Sequence, residues 1–565
     1  MVESQRKLNV KGDLVSNEII LQIIIGLCFI GIIVVLFWES QDYLTYSLLF
    51  VFLIVISTLV LRGMGPNELK GIILAVDWNV IVFLICLFSI IEILNSKQIF
   101  QQIAIRIVNK FALHPRRLFY AICIISTMIA TIIEDLSVAI IFIPIVIQAC
   151  RGIHISPLPY MFGITICINL ASTLTPFGSA ENIIIANHFN LSLHWHLVNL
   201  GIYFIVVLFI TLFLVDRLLL TRYLKRYYYE IYEAIPGYFD PNQIDPLNNE
   251  ENSKNMKGNK RSNQLDTINY EENNKNKRRH KEHHLSEEFL KNARLKEIKD
   301  RVFQSLEQAN LNTSGGDRNK AVITVSLSEI QLHNLLKHRN NDVKINVLNL
   351  KADKKDFHRN MIGLGLLIII FVTVSQIIIA GILGLLLFTF LNPIKVTGKK
   401  RIPSVSYYFK KIDAKLIYFF AILFITVYFM DLAGITYWID ELVENWGHHD
   451  VFLISVGILL LTSILSGFLD DAPITIMFLP IIDNLLRLFN HPGNPIFIAF
   501  TLGINLGGNF LPQGAACDMM TQELAKKHNV KGFTYKSLTL IGGLFALIHI
   551  LLGIGYIALY QAIFG

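Results

Sequence analysis

Charge is scarce in this chain, and cysteine is scarcer. Asp, Glu, Lys and Arg make up 16% of the 565 residues, against about 25% in an ordinary soluble domain. The six cysteines, Cys28, Cys86, Cys123, Cys150, Cys167 and Cys517, lie in or beside apolar segments, and none forms a C-x-x-C pair. That excludes a disulfide framework and a cysteine zinc site. There is no G-x-x-x-x-G-K-[ST] phosphate loop, so pumping by ATP hydrolysis within this chain is not expected. No catalytic nucleophile and no metal cluster stand out, and no cofactor or enzyme activity is implied. No small-residue cleavage site follows the first apolar run, 19–38, which reads as an uncleaved span. The net charge of +7 is unevenly spread, which argues against nucleic acid as a partner.

Apolar residues are abundant instead. They make up 53% of the chain, with a mean hydropathy of +0.51. Many runs approach or exceed the roughly 18 residues that mark a membrane span. Apolar segments fall near 19–38, 44–61, 79–95, 117–133, 138–150, 159–175, 183–190 and 198–220. After a polar stretch they resume near 361–378, 380–391, 413–430, 451–468, 474–489, 494–511 and 537–561. This divides the chain into a polar tail (1–18), a first membrane repeat (19–221), a polar insert (222–358) and a second membrane repeat (359–565). The insert is rich in asparagine and charge over 247–284 and reads as disordered. An amphipathic helix is expected over 285–310, and a capping box at Ser326 and Glu329.

The two apolar halves repeat one another at an offset of 336 residues. Glu134, Asp135 and Pro144 match Asp470, Asp471 and Pro480. The offset holds through Asn169/Asn505, Pro176/Pro512 and Gly178/Gly514, and upstream at Asp77/Asp413. A carboxylate inside hydrocarbon costs roughly 3 kcal/mol or more, so such residues are functional candidates by default. A single such residue is compatible with a helix cap; two pairs at matched positions argue against that. The apolar pieces on either side of each pair look too short for a comfortable span. A 13-residue helix covers about 20 Å of a roughly 30 Å core. Each pair is therefore expected at the tip of a re-entrant hairpin near the midplane. The following segment in each half is broken by T-P-F-G-S-A-E-N (175–182) or F-L-P-Q-G-A-A-C-D (510–518). The expected fold is an all-α polytopic membrane protein with two inverted repeats. Each repeat has five transmembrane helices plus a re-entrant hairpin, with broken helices at the midplane. Lys and Arg crowd the connections on the insert's side, among them Lys97, Arg106, Arg116, Arg151, Arg217, Lys399 and Lys526. The positive-inside rule then puts the insert in the cytoplasm and both termini outside.

Broken helices and hairpin tips present carbonyl oxygens to cations and N–H groups to anions. The candidate ion- or substrate-binding set in the first half is Glu134, Asp135, Ser137, Asn169, Ser172, Thr173, Thr175, Gly178, Ser179, Glu181 and Asn182. In the second half it is Asp470, Asp471, Thr475, Asn505, Asn509, Gln513, Gly514 and Asp518. Na⁺ is expected at Asp135 and Asp471, with Glu134 and Asp470 as partner carboxylates. Backbone ligands are expected from 175–178 and 509–514. Hard oxygen ligands suit Na⁺ or H⁺, not soft metals. Asn169 and Asn505 equally suit helix cross-linking. Glu181 and Asp518, at the helix restarts, also suit N-capping.

These motifs resemble the ion transporter superfamily. It contains the arsenite permeases, NhaD-type Na⁺/H⁺ antiporters, the melanosomal P protein, and citrate and dicarboxylate symporters. The acidic pair ten residues before a proline is similar to the P-protein D-N pattern, with Asp135 and Asp471 in place of Asn. T-P-F-G-S is similar to the arsenite-permease T-P-I-G-S. Gly507-Gly508-Asn509…Gly514-Ala515 resembles G-G-N…G-A-x-A-N, with Asp518 in place of the final Asn. The resemblance implies elevator-like alternating access, often as a homodimer in the bilayer. The expected function is a secondary ion transporter coupled to Na⁺ or H⁺, leaning to cation/H⁺ antiport. The alternatives are Na⁺- or H⁺-coupled transport of an anion (arsenite, citrate or a dicarboxylate), a channel, and a membrane receptor signalling through the insert.

Overall fold

The computed structural model describes residues 2–36, 42–111, 114–153, 155–224, 322–323, 344–345, 354–374, 376–395, 401–412, 414–435, 437, 450–489 and 493–564. Asp413, the helix expected over 285–310 and the capping box at Ser326 lie outside the described residues, as does the asparagine-rich tract. The chain divides into two compact units. One joins 151–155 to 219–347, and its described residues include a short parallel ladder of Val322–Ile323 on Lys344–Ile345. The other holds the remaining residues and all of the site.

The first half of that larger unit contains α1 (Val2–Leu36), α2 (Tyr43–Leu61), α3 (Pro66–Ala75), α4 (Trp78–Ser96) and α5 (Ile99–Phe111). They are followed by α6 (Pro115–Ala130), α7 (Asp135–Gly152), α8 (Leu158–Ala171), α9 (Ala180–His188) and α10 (Leu193–Val215). The second half contains α11 (Lys354–Thr373), α12 (Ile377–Leu391), α13 (Val405–Phe409), α14 (Ala414–Leu432) and α15 (Val451–Leu469). Then come α16 (Asp471–Phe489), α17 (Asn494–Gly507), α18 (Ala516–Lys527) and α19 (Tyr535–Phe564). The internal duplication recurs in the helix boundaries. α4 and α14 begin and end 336 residues apart, and so do α8 and α17. α7/α16 and α9/α18 begin at the same offset.

Nine described helices are long and apolar enough to cross a membrane. The chain is a polytopic membrane protein. Every residue of α8 is buried, as is nearly all of α17; a helix apolar on all sides belongs to the interior. Each has 14 residues, about 21 Å at 1.5 Å per residue, and each stops at a break containing Pro and Gly. The sequence reading of the returning hairpin arms needs correction. α7 has 18 residues and α16 has 19, not 13 and 16. Asp135 and Asp471 themselves open these helices, and Pro144 and Pro480 are accommodated inside them. Both α7 and α15 are long enough to span, so shortness does not by itself make these arms re-entrant.

Small residues set the closest helix approach. α15 packs on α17 along Thr462, Ser463 and Gly467 on one side and Gly503 and Gly507 on the other. A Cβ at Gly503 would sit 3.0 Å from the Leu459 carbonyl, and one at Gly467 would sit 2.8 Å from Phe510 Cβ. At Gly507 the added atom would meet the Ser463 backbone. Gly507→Val should therefore destabilise the protein by about 1–3 kcal/mol through overpacking. Gly555→Ala, with nothing within 4 Å, should be tolerated and, inside α19, should raise stability by about 0.5–1 kcal/mol. Thermal unfolding of the two variants in detergent checks the contrast.

Candidate functional site

The breaks between α8 and α9 and between α17 and α18 meet one another within the larger unit. In the first, Thr175 Oγ1 donates to the Thr131 carbonyl, and Ser172 Oγ donates to Gly178 O at 3.2 Å. The Asp135 N–H donates to Gly178 O at 3.3 Å, which fastens the start of α7 to this loop. Ser179 caps α9, its Oγ accepting from the Asn182 N–H at 3.3 Å. Gly178 packs tightly, because a Cβ there would lie 2.8 Å from Ser172 Cα. In the second break, Gly514 packs against Gly467 and Gly508, and Gly508 faces Asp471 Oδ2.

Side chains from one half reach into the other. Asn505 donates to Asn182 Oδ1 at 2.8 Å and, within its own helix, to Thr501 O at 2.7 Å. Ser179 Oγ donates to Asn505 Oδ1 at 3.4 Å. Asn169 donates to Asn509 Oδ1 at 2.9 Å and to Asp518 Oδ1 at 3.1 Å, and accepts from the Cys517 thiol. Thr165 and Thr521 pair at 3.3 Å nearby. The carboxylates converge as well. Asp135 interacts electrostatically with Glu181, Asp470, Asp471 and Asp518, and Glu181 does so with Asp470 and Asp471. Asp135 of the first acidic pair and both members of the second, 336 residues apart in sequence, thus face one region. None of Asp135, Glu181, Asp470, Asp471 and Asp518 makes a salt bridge among the described residues. No described trio of His, Cys, Asp or Glu is grouped closely enough to cage a metal ion. Any cation here would use carbonyl, hydroxyl and amide oxygens beside a carboxylate.

The other sequence-selected residues take various places. Glu134 and Ser137 are half-buried around the start of α7. Thr173 donates back to Leu170 O at 2.8 Å, and Thr475 to Asp471 O at 2.9 Å. Gln513 turns outward to accept from the Tyr535 hydroxyl at 2.8 Å. The capping role considered for Glu181 and Asp518 goes elsewhere: Ser179 caps α9, and the N-cap position of α18 is Ala515. Sequence reasoning passed over Cys517 and Ser466. Ser466 Oγ donates to Asp471 Oδ1 and, at 2.7 Å, to Ile504 O. Cys517 stands 336 residues after Glu181, so the repeat itself could have flagged it. A serine within an apolar helix carries no comparable signal.

Asp470 is strained. Its φ of 73° and ψ of 148° lie in a region that glycine alone adopts without penalty, at about 1–3 kcal/mol for other residues. It accepts the Asp471 N–H at 2.7 Å. Asp470→Asn removes the charge and keeps the strain, whereas Asp470→Gly removes both. The glycine variant should be more stable than the asparagine variant by about 1 kcal/mol or more, measured by thermal unfolding in detergent.

Comparison with known proteins agrees with this architecture. A family model described as "Citrate transporter" matches residues 32–503. The P protein of Sus scrofa is 20% identical over 522 residues, covering 87% of this chain and 54% of that protein. A putative transporter arsB of Dictyostelium discoideum is 25% identical over 121 residues, 21% of each chain. A 46 kDa membrane protein of Mycobacterium leprae is 22% identical over 143 residues, 25% of this chain and 33% of that one. The chain spans between about a fifth and just over half of the length of these curated relatives. The match over most of its length makes this chain a member of the citrate transporter family, within the ion transporter superfamily that its motifs resemble.

Proposed function

We propose that the protein is a secondary active transporter whose central acidic site takes a cation, driven by an ion gradient of Na⁺ or H⁺. The observation that carries this is the convergence of Asp135, Glu181, Asp470, Asp471 and Asp518 without a salt bridge among the described residues. Clustered negative charge is unfavourable, the more so as it leaves water; Asp518 is buried and the other four are half-buried. Protons or metal cations are the natural means of neutralising it, and exchange of one for the other is cation/H⁺ antiport. In this reading the halves are inverted repeats, reached alternately from either face. The tips at Asp135 and Asp471 lie near the midplane, the insert 222–358 is cytoplasmic, and both termini are outside. The matched helix boundaries and the crowding of Lys and Arg on the insert's side support that arrangement.

A second reading is cation-coupled uptake of a carboxylate anion. The family description favours it, as does the buried amide of Asn509, whose Nδ2 has no hydrogen-bond partner among the described residues and could donate to an anionic oxygen. In that case the bound cation would offset the site's own negative charge before the anion entered.

Flux into proteoliposomes separates the two. Na⁺, Li⁺, citrate, succinate, arsenite and sulfate are offered under imposed pH and Na⁺ gradients. Antiport predicts that Na⁺ or Li⁺ collapses a preset pH gradient with no anion present; the second reading predicts that an anion accumulates only when the cation is present. Asp135→Asn and Asp471→Asn should each lower coupled flux by about tenfold or more, the effect of losing about 1.4 kcal/mol of charge-assisted binding. Flux equal to wild type in both variants would sink the acidic-site reading.

A further inference from the structure

The first helix break carries an aromatic side chain that the acidic site does not itself use. Phe177 stands between Pro176 and Gly178 and is buried. Its ring lies 4.0 Å from that of Phe371 on α11 and 5.7 Å from that of Phe83 on α4, centroid to centroid. Phe83 and Phe371 also face each other, at 6.2 Å. Phe83 is seated against Gly381 of α12, where a Cβ would lie 2.6 Å from its ring. The break thus plugs one ring into a slot formed by α4, α11 and α12, none of which carries a member of the acidic cluster.

The second break has no such anchor among the described residues. The residues 336 positions after Phe83 and Phe177 are Phe419 and Gln513. Phe419 meets the ring of Tyr43 on α2 at 5.7 Å, and Gln513 accepts from the Tyr535 hydroxyl. A ring is kept on α4 and on α14, but only the first break offers a ring for it to hold. The halves differ here as they do at Asn182 and Asp518, which share the same offset.

From Phe177 the connection to the acidic site is short. Its N–H donates to Thr175 Oγ1 at 3.2 Å. The next carbonyl, Gly178 O, accepts from the Asp135 N–H at 3.3 Å and from Ser172 Oγ at 3.2 Å. Unwound backbone has no helical ladder to fix it, and a buried, stacked ring supplies the missing constraint through contact area and geometry.

We propose that Phe177 is a positioning residue: by stacking on Phe83 and Phe371 it sets the first break against the start of α7 and holds Asp135 in place for the bound cation. The proposal rests on the acidic-site reading above. It makes the two breaks unequal, the first tied by a ring to α4 and α11 and the second not.

The test is equilibrium ²²Na⁺ binding to the purified full-length protein, with affinity and number of sites read separately. Phe177→Ala and Phe371→Ala should each weaken Na⁺ binding by about tenfold with the number of sites unchanged. The double variant should be no weaker than either single one, because all three empty the same slot. Phe177→Tyr keeps the ring and should bind as wild type does. A cavity of about 120 Å³ beside the ring, lined also by Pro176, Ser192 and His194, has room for the added hydroxyl. Phe371 lies outside the break, so Phe371→Ala decides the matter if Phe177→Ala does not fold. Wild-type affinity in Phe371→Ala overturns the proposal. So does a loss of sites at unchanged affinity, which is what mere destabilisation produces, or a Phe177→Tyr variant as weak as Phe177→Ala. The acidic-site reading would survive any of these if Asp135→Asn still lowered coupled flux. A wild-type protein that binds no Na⁺ would remove the proposal, and wild-type flux in Asp135→Asn and Asp471→Asn as well would remove both.

Discussion

Unwound backbone inside a membrane protein must find its hydrogen-bond partners within the protein, because hydrocarbon offers none. This chain breaks two buried helices, and everything around the breaks answers that requirement. Ser172, Thr175 and Asn182 satisfy the first loop from within its own half, and Asn505 braces Asn182 from the other half. Asn169 does the reciprocal work on Asn509 and Asp518. Both halves therefore depend on side chains supplied by the other, which ties the site to the packing of α8, α9, α17 and α18 as a group.

Tight packing and strain occur at the same place. Gly467, Gly503 and Gly507 bring α15 and α17 close enough for Ser466 to reach both Asp471 and the Ile504 carbonyl. The same turn forces Asp470 into a backbone conformation ill-suited to a side chain. Glu134, its partner in the repeat, has no such positive φ. The acidic tips are thus matched in sequence and unequal in geometry. That inequality parallels the contrast between Asn182 and Asp518, so the two halves share a plan and differ in its details.

Much of this was legible in the sequence, and the reasons are physical. Intramembrane carboxylates are costly, so Asp135 and Asp471 stood out from their apolar surroundings. Pro and Gly break helices, so the interruptions at Pro176 and Pro512 were plain. The length of the apolar run understates these arms because an acidic residue resembles a boundary, yet Asp135 and Asp471 are good first-turn residues and open their helices. Glu181 sits at a restart, a position that suits a cap. Chain direction alone could not tell that Ser179 would cap α9 and leave Glu181 facing the aspartates. Contacts such as Cys517 to Asn169 join residues 348 apart, and local pattern carries no trace of them.

The reciprocal bracing by Asn169 and Asn505 has an evolutionary corollary. An ancestor of half this length would have needed two copies to complete each break. In such a pair of identical chains, the position now held by Asn182 and Asp518 would have carried one residue type, so both places would have been amide or both acid. With the two halves in one chain, the two positions are free to differ, and here one is an amide and the other an acid.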